Sequence, residues 1–200
     1  MFEPGQMGAS VIFAVTLAVS VAGLTMTPAI IEKSLFRPYW FLRERQYLSP
    51  VTSGLVHADF GHLLMNMLTF YFFAFTLERY IGTLPFVILY AVGLLASSAY
   101  TLYRHAREPQ YATLGASGAI AAVLFAYIVY DPLSTLYIIP FPVPIPAFLF
   151  AIAYLAYTYW AANQRSDGIN HDAHLWGAIS GLLFVAVFEP SAYTRLLGLF

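Results

Sequence analysis

Residues 61–77 read GHLLMNMLTFYFFAFTL, an apolar run that starts at Gly61 and is closed by the pair Glu78-Arg79. A helix that crosses a bilayer core needs about 20 mostly apolar residues. Five further runs of this kind lie at residues 8–25, 84–103, 116–130, 145–161 and 173–188. In lipid, every backbone N–H and C=O must bond within its own segment or in a closed barrel, and the runs lack the two-residue alternation of barrel strands. The sequence therefore predicts an all-α membrane protein, a six-transmembrane-helix bundle.

The composition agrees with a membrane environment. Of the 200 residues, 60% are hydrophobic and only 10% are charged, whereas a soluble domain carries about 25% charged residues. The net charge of −1 gives no indication of nucleic-acid binding. The lack of cysteine excludes disulfides, thiolate metal sites and a cysteine nucleophile. We expect a single membrane domain over residues 1–200 in contact with the lipid bilayer, and its oligomeric state stays open.

The long connection at residues 27–60 mixes aromatic and basic side chains. This composition suits the headgroup region of a membrane, so we expect a partly embedded interfacial loop there. The basic residues also bear on orientation: Arg79 and Arg195 lie on the side of the N-terminus, and the other seven Lys and Arg lie on the opposite side. The positive-inside rule would therefore place the N-terminus outside the cell.

All the His and Asn side chains inside the apolar runs, together with one Ser, lie near the start of a predicted helix. They are His62 and Asn66 in the second helix, Ser117 in the fourth and His174 in the sixth. Polar groups at membrane depth are costly unless they are paired or hydrated, so they indicate function. In an alternating topology the second, fourth and sixth helices run in the same direction. Their starts lie on one side of the membrane, where these four side chains can converge.

The chemistry of these side chains is that of a serine hydrolase. A Ser hydroxyl becomes a strong nucleophile when a neutral imidazole takes its proton, and both His174 and His62 are candidates for that base. His62 and Asn66 are four residues apart and share one helical face. Together with the N–H of Ser117 they can hydrogen-bond the negative oxygen of a tetrahedral intermediate. Asp172 lies two residues from His174, nearly on the opposite face, which favours a Ser–His dyad.

Small residues surround both reacting groups. Gly115 and Gly118 flank Ser117, and Gly177 and Gly181 follow His174 on one face of the sixth helix. Because small residues let helices approach closely in a membrane, the fourth and sixth helices are expected to be in contact. A Ser-to-His hydrogen bond of about 3 Å requires that proximity.

Four motifs in this order resemble those of the rhomboid family of intramembrane serine proteases. They are HADFGHLLMN at 57–66, ERYIG at 78–82, GASG at 115–118 and AHLWGAISG at 173–181. Each motif alone is weak, but the ordered set is specific. The resemblance extends over about residues 48–188, most of the chain.

The resemblance implies an activity and roles for the site residues. Ser117 would be the nucleophile and His174 the base, with the oxyanion held by His62, Asn66 and the Ser117 backbone. Such enzymes cleave transmembrane protein substrates near helix-destabilising residues, without a cofactor or a metal. The resemblance also implies a cytoplasmic N-terminus, against the charge count, and we expect a bacterial plasma membrane as the location.

Some positions extend the family pattern and others depart from it. Glu78 and Arg79 would pin the end of the second helix. Many family members carry an aromatic residue four positions after the nucleophile, under the catalytic His, where this chain has Ala121. The Trp-Arg pair of the family's first loop would align with Leu48 and Ser49. The substitution at 121 keeps open an alternative function, a non-catalytic membrane chaperone or scaffold.

Three further histidines are expected to be structural. His57 would order the loop before the second helix, and His105 and His171 would lie at the wet interface. A small transporter is disfavoured, because the chain has no two-half repeat and no carboxylate inside the apolar runs.

Overall fold

The computed structural model describes residues 6–138, 143–164 and 168–198, so the rest of the predicted 1–200 domain lies outside the described part. Its helices are α1 (Met7–Thr25), α2 (Ala29–Ser34), α3 (Pro38–Arg43), α4 (Ser49–Thr52), α5 (Phe60–Ile81), α6 (Thr83–His105), α7 (Ser117–Tyr130), α8 (Ala147–Ala161), α9 (His171–Phe188) and α10 (Tyr193–Leu197). Two 3₁₀ turns lie at Ser53–Leu55 and Pro190–Ala192. The strands β1 (Thr135–Tyr137) and β2 (Pro144–Pro146) pair antiparallel.

Each of the six apolar runs forms a helix. Within the described residues, four of these helices, α1, α5, α6 and α9, are long and apolar enough to cross a membrane. The other two, α7 and α8, are apolar but have only 14 and 15 residues. The chain is thus an all-α, multi-pass integral membrane protein, while the number of six spans stays a prediction.

Four helices, α1, α5, α6 and α9, extend beyond the apolar runs that predict them, and two of these extensions carry buried charges. α5 continues to Ile81, beyond the expected end at Leu77, and α9 begins at His171 rather than at Ala173. The added turns carry charged residues that are buried and have partners inside the protein, Glu78 on α5 and Asp172 on α9. A helix need not stop at a charged residue when the fold supplies that charge with a partner.

α7 lies at the centre of the bundle. Of its 14 residues, 12 are buried, and it packs against α5, α6 and α9. A helix that is apolar on all sides is one surrounded by protein. At 1.5 Å per residue α7 is about 21 Å long, roughly 9 Å shorter than a bilayer core. If Asp131, which directly follows its far end, lies at one membrane surface, then its first residue, Ser117, lies about 9 Å below the other.

The connection at 27–60, which we expect to be an interfacial loop, contains α2, α3, α4 and a 3₁₀ turn. Leu42, Leu48 and Val51 are exposed on it, which suits a segment in contact with lipid. Phe36 and Thr113 exchange two backbone hydrogen bonds of 2.9 and 3.0 Å. These bonds hold the loop beside the polar connection that leads into α7.

A hairpin joins α7 to α8, where the apolar runs alone indicate no strands. Leu136 of β1 pairs with Ile145 of β2, which is flanked by Pro144 and Pro146. Proline cannot donate to a strand ladder, so this pairing is limited to two short strands. Residues 135–138 line part of the cavity described next.

Candidate active site

Close backbone contacts join α7 to α9. A Cβ added to Gly177 would overlap the carbonyl group of Gly118, and one added to Gly181 would overlap that of Ala122. On the α6 side, a Cβ added to Gly118 would overlap the side chain of Ser97. With no room for a side chain at Gly177 and Gly181, α7 and α9 are held at a spacing that only glycine permits.

A cavity of about 570 Å³ lies between α5, α7, α8, α9 and the hairpin. Asn66 from α5, Ser117 from α7 and His174 from α9 all line it. Most of its other lining residues are apolar, among them Phe72 and Phe73 of α5 and Leu124 of α7. The cavity therefore suits an apolar ligand that meets a few polar groups near the starts of α5, α7 and α9.

The turn before Ser117 is formed by Gly115, whose φ of +111° is a conformation that residues with a Cβ rarely adopt. A Cβ at this glycine would also lie 2.8 Å from Cε1 of His62. The Gly115 N–H donates to the Ser53 carbonyl over 2.9 Å. Ser117 then opens α7, half-buried, with its N–H ahead of the helix's own hydrogen-bond pattern.

His174 is held by the N-terminal cap of α9. The Asn170 side chain accepts a hydrogen bond from the N–H of Ala173 (3.0 Å) and donates to the hydroxyls of Thr101 (3.1 Å) and Thr113 (3.4 Å). Our sequence analysis missed Asn170, although an Asn directly before a helix is a strong cap signal. The cap fixes the first turn of α9, and His174 is the fourth residue of that helix.

Asp172 has a partner on another helix. Its carboxylate lies 3.2 Å from Nε of Arg104 at the end of α6 and accepts a second bond from Nη1 of the same guanidinium. Arg104 also donates to the carbonyl of Ala162 after α8. This ion pair therefore ties the start of α9 to α6 and α8, at a position two residues before His174.

His62 and Asn66 occupy consecutive turns of α5. The Asn66 amide nitrogen donates to the His62 carbonyl over 2.9 Å and keeps a second N–H. Only Asn66 of the two lines the cavity. The His62 ring contacts Gly115 and the His57 ring, with 4.9 Å between the ring centroids. The structure thus brings Asn66 into the same cavity as Ser117 and places His62 behind the turn that precedes it.

Glu78 and Arg79 lie at the other end of α5. The fully buried Glu78 carboxylate accepts hydrogen bonds from the N–H groups of Gly8 (2.9 Å) and Ala9 (2.7 Å) at the start of α1. Arg79 is exposed and donates to the hydroxyl of Thr76 over 3.3 Å. Glu78 therefore joins α5 to α1, while Arg79 makes a contact at the surface.

Near Ala121 of α7, an aromatic side chain at the cavity wall comes from another helix, α8. Ala121 is buried at the cavity wall, and Tyr154 of α8 lines the same cavity and packs against Phe125. The His174 ring makes an edge-on contact with His171, with 6.0 Å between the centroids. The imidazole of His174 is thus contacted by a ring of its own helix, that of His171.

Two histidines that we expected at the wet interface are buried instead. His105 stacks flat on Tyr111, with centroids 3.6 Å apart, and its Nδ1 lies 3.0 Å from the Glu108 carboxylate. His171 is covered by the edge-on ring of Tyr157. The expectation was wrong because both residues face neighbouring elements rather than the membrane surface.

A second cavity of about 30 Å³ lies behind Ser117. It is lined by polar groups that include Ser97, Thr101, Thr113 and Asn170. Such a volume holds about one water molecule, and the polar lining offers it hydrogen bonds. Across the described ranges, no group of three or more His, Asp or Glu side chains is placed to hold a metal ion.

Comparison with known proteins places this architecture in a family. The family model described as Rhomboid domain matches residues 44–191. "RHOMBOID-like protein 12, mitochondrial" from Arabidopsis thaliana is 33% identical over 143 residues, which are 64% of this chain and 42% of that protein. "Rhomboid protein 1, mitochondrial" from Saccharomyces cerevisiae is 29% identical over 177 residues, 83% of this chain and 49% of that protein.

The chain spans less than half the length of either of these curated relatives. Both are named as mitochondrial proteins, so our expectation of a bacterial plasma membrane is not borne out. The match over residues 44–191 covers the interfacial loop from α4 onward and all the residues that line the main cavity. The chain therefore belongs to the rhomboid family.

Proposed function

We propose that the chain is an intramembrane serine endopeptidase that hydrolyses peptide bonds in or near transmembrane segments of membrane proteins. The observation that carries this proposal is the convergence of Ser117, His174 and Asn66, from three helices, on one largely apolar cavity. A nucleophile, a base and an amide donor at membrane depth form the set of groups that acyl transfer requires.

In the first half of the reaction, the neutral imidazole of His174 takes the proton of the Ser117 hydroxyl as its oxygen attacks the substrate carbonyl carbon. The free N–H of Asn66 and the backbone N–H of Ser117 stabilise the oxyanion, and His62 is a further donor in this proposal. The intermediate collapses as His174 gives the proton to the leaving amine. An ester between Ser117 and the substrate's acyl group remains.

In the second half, His174 takes a proton from a water molecule that attacks the ester, and Ser117 regains its proton when the ester breaks. The small polar cavity behind Ser117 could hold the required water close to the ester. His174 is favoured over His62 as the base because it lines the main cavity, whereas His62 lies behind the Gly115 turn.

The substrate would enter from the lipid between α5 and α8. Both helices contribute to the cavity wall, with Phe72 and Phe73 from α5 and Phe150 and Tyr154 from α8. These side chains match the apolar surface of a transmembrane segment. A substrate must unwind locally to present its carbonyl group, which accords with cleavage near helix-destabilising residues.

A second candidate function is a non-catalytic scaffold that binds unstable transmembrane helices. Ala121 favours it, because the wall beside His174 carries no aromatic residue at that position. A fluorophosphonate probe distinguishes the two functions, since it labels only an activated serine. Labelling of Ser117 supports the protease, and a folded protein that stays unlabelled supports the scaffold.

The main test is cleavage of a reporter transmembrane segment by the purified protein in liposomes. We expect the wild type to cleave it and both Ser117→Ala and His174→Ala to be inactive. The matched control is Ser180→Ala, which removes another buried Ser hydroxyl whose hydrogen bond stays within α9. Cleavage by Ser117→Ala would overturn the mechanism.

Orientation is a separate part of this proposal. The family resemblance implies a cytoplasmic N-terminus, whereas the distribution of Lys and Arg implies the opposite. With a cytoplasmic N-terminus, the starts of α5, α7 and α9 lie on the non-cytoplasmic side, and the water for hydrolysis enters from there.

A further inference from the structure

His57 is a buried histidine that the proposed reaction leaves without a role. It lies in the segment just before α5 and is 0% exposed. Its ring makes an edge-on contact with His62, and its Cδ2 would lie 3.9 Å from a Cβ at Gly115. His57 therefore lies directly behind the turn that leads to Ser117, where buried polar atoms need hydrogen-bond partners.

One side of the ring has a partner on α1. The Ser20 hydroxyl lies 2.9 Å from Nδ1 of His57 and also 2.9 Å from the carbonyl oxygen of Leu55. A hydroxyl has one hydrogen, so it can donate to only one of them at a time. If Ser20 donates to Nδ1, this ring nitrogen is the acceptor, and the imidazole proton lies on Nε2.

The other side of the ring involves Asn66. Among the described residues, Nε2 of His57 and Oδ1 of Asn66 are both fully buried side-chain atoms with no hydrogen bond of standard geometry. The Asn66 nitrogen already donates to the His62 carbonyl, so its oxygen is the end of the carboxamide that needs a donor. A protonated Nε2 supplies that donor, whereas a bare Nε2 would set two acceptors against each other.

The charge state of His57 agrees with this arrangement. Burial, followed by repulsion from His62, lowers the pKa of His57 to about 4, while a hydrogen bond with Asn66 and the charge of Asp59 act in the opposite direction. The ring is thus neutral near pH 7, with one proton to place. The geometry agrees as well, because the His57 ring contacts the His62 ring and Asn66 bonds to the His62 carbonyl, so both side chains lie against the first turns of α5.

We propose that His57 is a positioning residue for the oxyanion site: its Nε2–H donates to Oδ1 of Asn66, and its Nδ1 accepts from the Ser20 hydroxyl. The oxygen of the carboxamide is then held at the back of the site, and its second N–H faces the cavity. This inference rests on the proposed protease function, because it explains how one donor of that reaction is oriented.

The kinetic test compares variants of His57 with and without Asn66. Removing one oxyanion donor costs about 10²- to 10³-fold in kcat, so a misoriented donor should cost part of that. We expect His57→Leu to lower kcat on the liposome reporter by roughly ten- to a hundred-fold with little change in KM. His57→Gln, which keeps an N–H near the position of Nε2, should retain most of kcat.

The double variant separates positioning from general stability. In the Asn66→Ala background, His57→Leu should lower kcat no further, because the group that it orients is absent. Thr16→Val, another fully buried change on the helix that carries Ser20, is the control for disturbing α1 and should leave kcat near wild type. Equal losses from His57→Leu in both backgrounds would overturn the proposal.

A spectroscopic readout does not depend on activity. In protein labelled with ¹⁵N at histidine, in micelles at pH 7, we expect His57 to show a proton on Nε2 and none on Nδ1. A proton on Nδ1 would refute the proposed hydrogen bonds, whatever the kinetics show. If Ser117 takes no fluorophosphonate but the Nε2–H form is observed, the protease function fails while the hydrogen-bond arrangement stands.

Discussion

Replacing Glu78 by Gln tests how α1 is held to the rest of the bundle. The two carboxylate oxygens accept from two successive N–H groups, those of Gly8 and Ala9, at distances of 2.9 and 2.7 Å. These are among the four N–H groups at a helix start that have no partner within the helix. Gly8 also leaves room for the carboxylate, since a Cβ there would lie 3.2 Å from Oε1 and 2.8 Å from Val87.

The expected loss follows from this geometry. A Gln side chain keeps one acceptor and turns an NH₂ group toward the second backbone N–H, so one hydrogen bond to a charged group is lost, worth about 1.5–3 kcal/mol. The remaining bond changes from charged to neutral, which costs about 0.5–1 kcal/mol more. The attraction between the carboxylate and the dipole of α1 arises from the same charge, so it is already contained in these two losses. We therefore expect Glu78→Gln to lower the free energy of unfolding by about 2–4 kcal/mol.

The assay is reversible unfolding in mixed micelles with increasing SDS, followed by tryptophan fluorescence. Arg79→Gln is the matched control, because it changes the next residue, which is charged but exposed. We expect this control to stay within about 0.5 kcal/mol of wild type. If Glu78→Gln also stays within that limit, the carboxylate does not anchor α1 and the reasoning fails.

Two further predictions use the same unfolding assay. Gly177→Ala should lower the free energy of unfolding by about 1–3 kcal/mol and cut reporter cleavage more than ten-fold, because its Cβ would overlap the Gly118 backbone. The control Leu183→Ala, at an exposed site on α9, should keep activity. Wild-type cleavage by Gly177→Ala would contradict the close helix contact. Because burial lowers the pKa of His57 to about 4, unfolding should take up a proton between about pH 6.5 and 4, and wild-type stability should fall by up to about 3 kcal/mol across that window. His57→Gln should lack this loss of stability at low pH. If the wild type instead gained stability on acidification relative to this variant, the predicted direction would be wrong.

The helices could be predicted because the apolar runs are long and are interrupted by local signals. The start of α8 follows the proline at 146, and the end of α7 precedes the Asp131-Pro132 pair. The largest errors occur where buried charges continue a helix. Glu78 bonds to residues 69 and 70 positions away, and Arg104 to Asp172, 68 positions away. No local pattern reveals such partners, so the apolar runs alone make these helices too short.

The candidate site could be predicted in part for a similar reason. The shared direction of the even-numbered helices is enough to expect that Asn66, Ser117 and His174 meet, and the structure places all three at one cavity. Helical periodicity also places His62 on the same face as Asn66, yet its ring lies against Gly115 instead. The path of the chain before α7 depends on the bond from Gly115 to Ser53, a tertiary contact without a sequence signal.

Ala121 changes which part of the fold controls the imidazole of His174. An aromatic residue at 121 would support the imidazole from α7, the most buried helix. In this chain the His174 ring contacts His171, which is itself covered by Tyr157 of α8. α8 also lines the cavity at the gap through which a substrate would enter. In the proposed mechanism, a displacement of α8 would therefore reach the imidazole of His174 through these two rings, and the orientation of the base would depend on α8 rather than on an aromatic residue of α7.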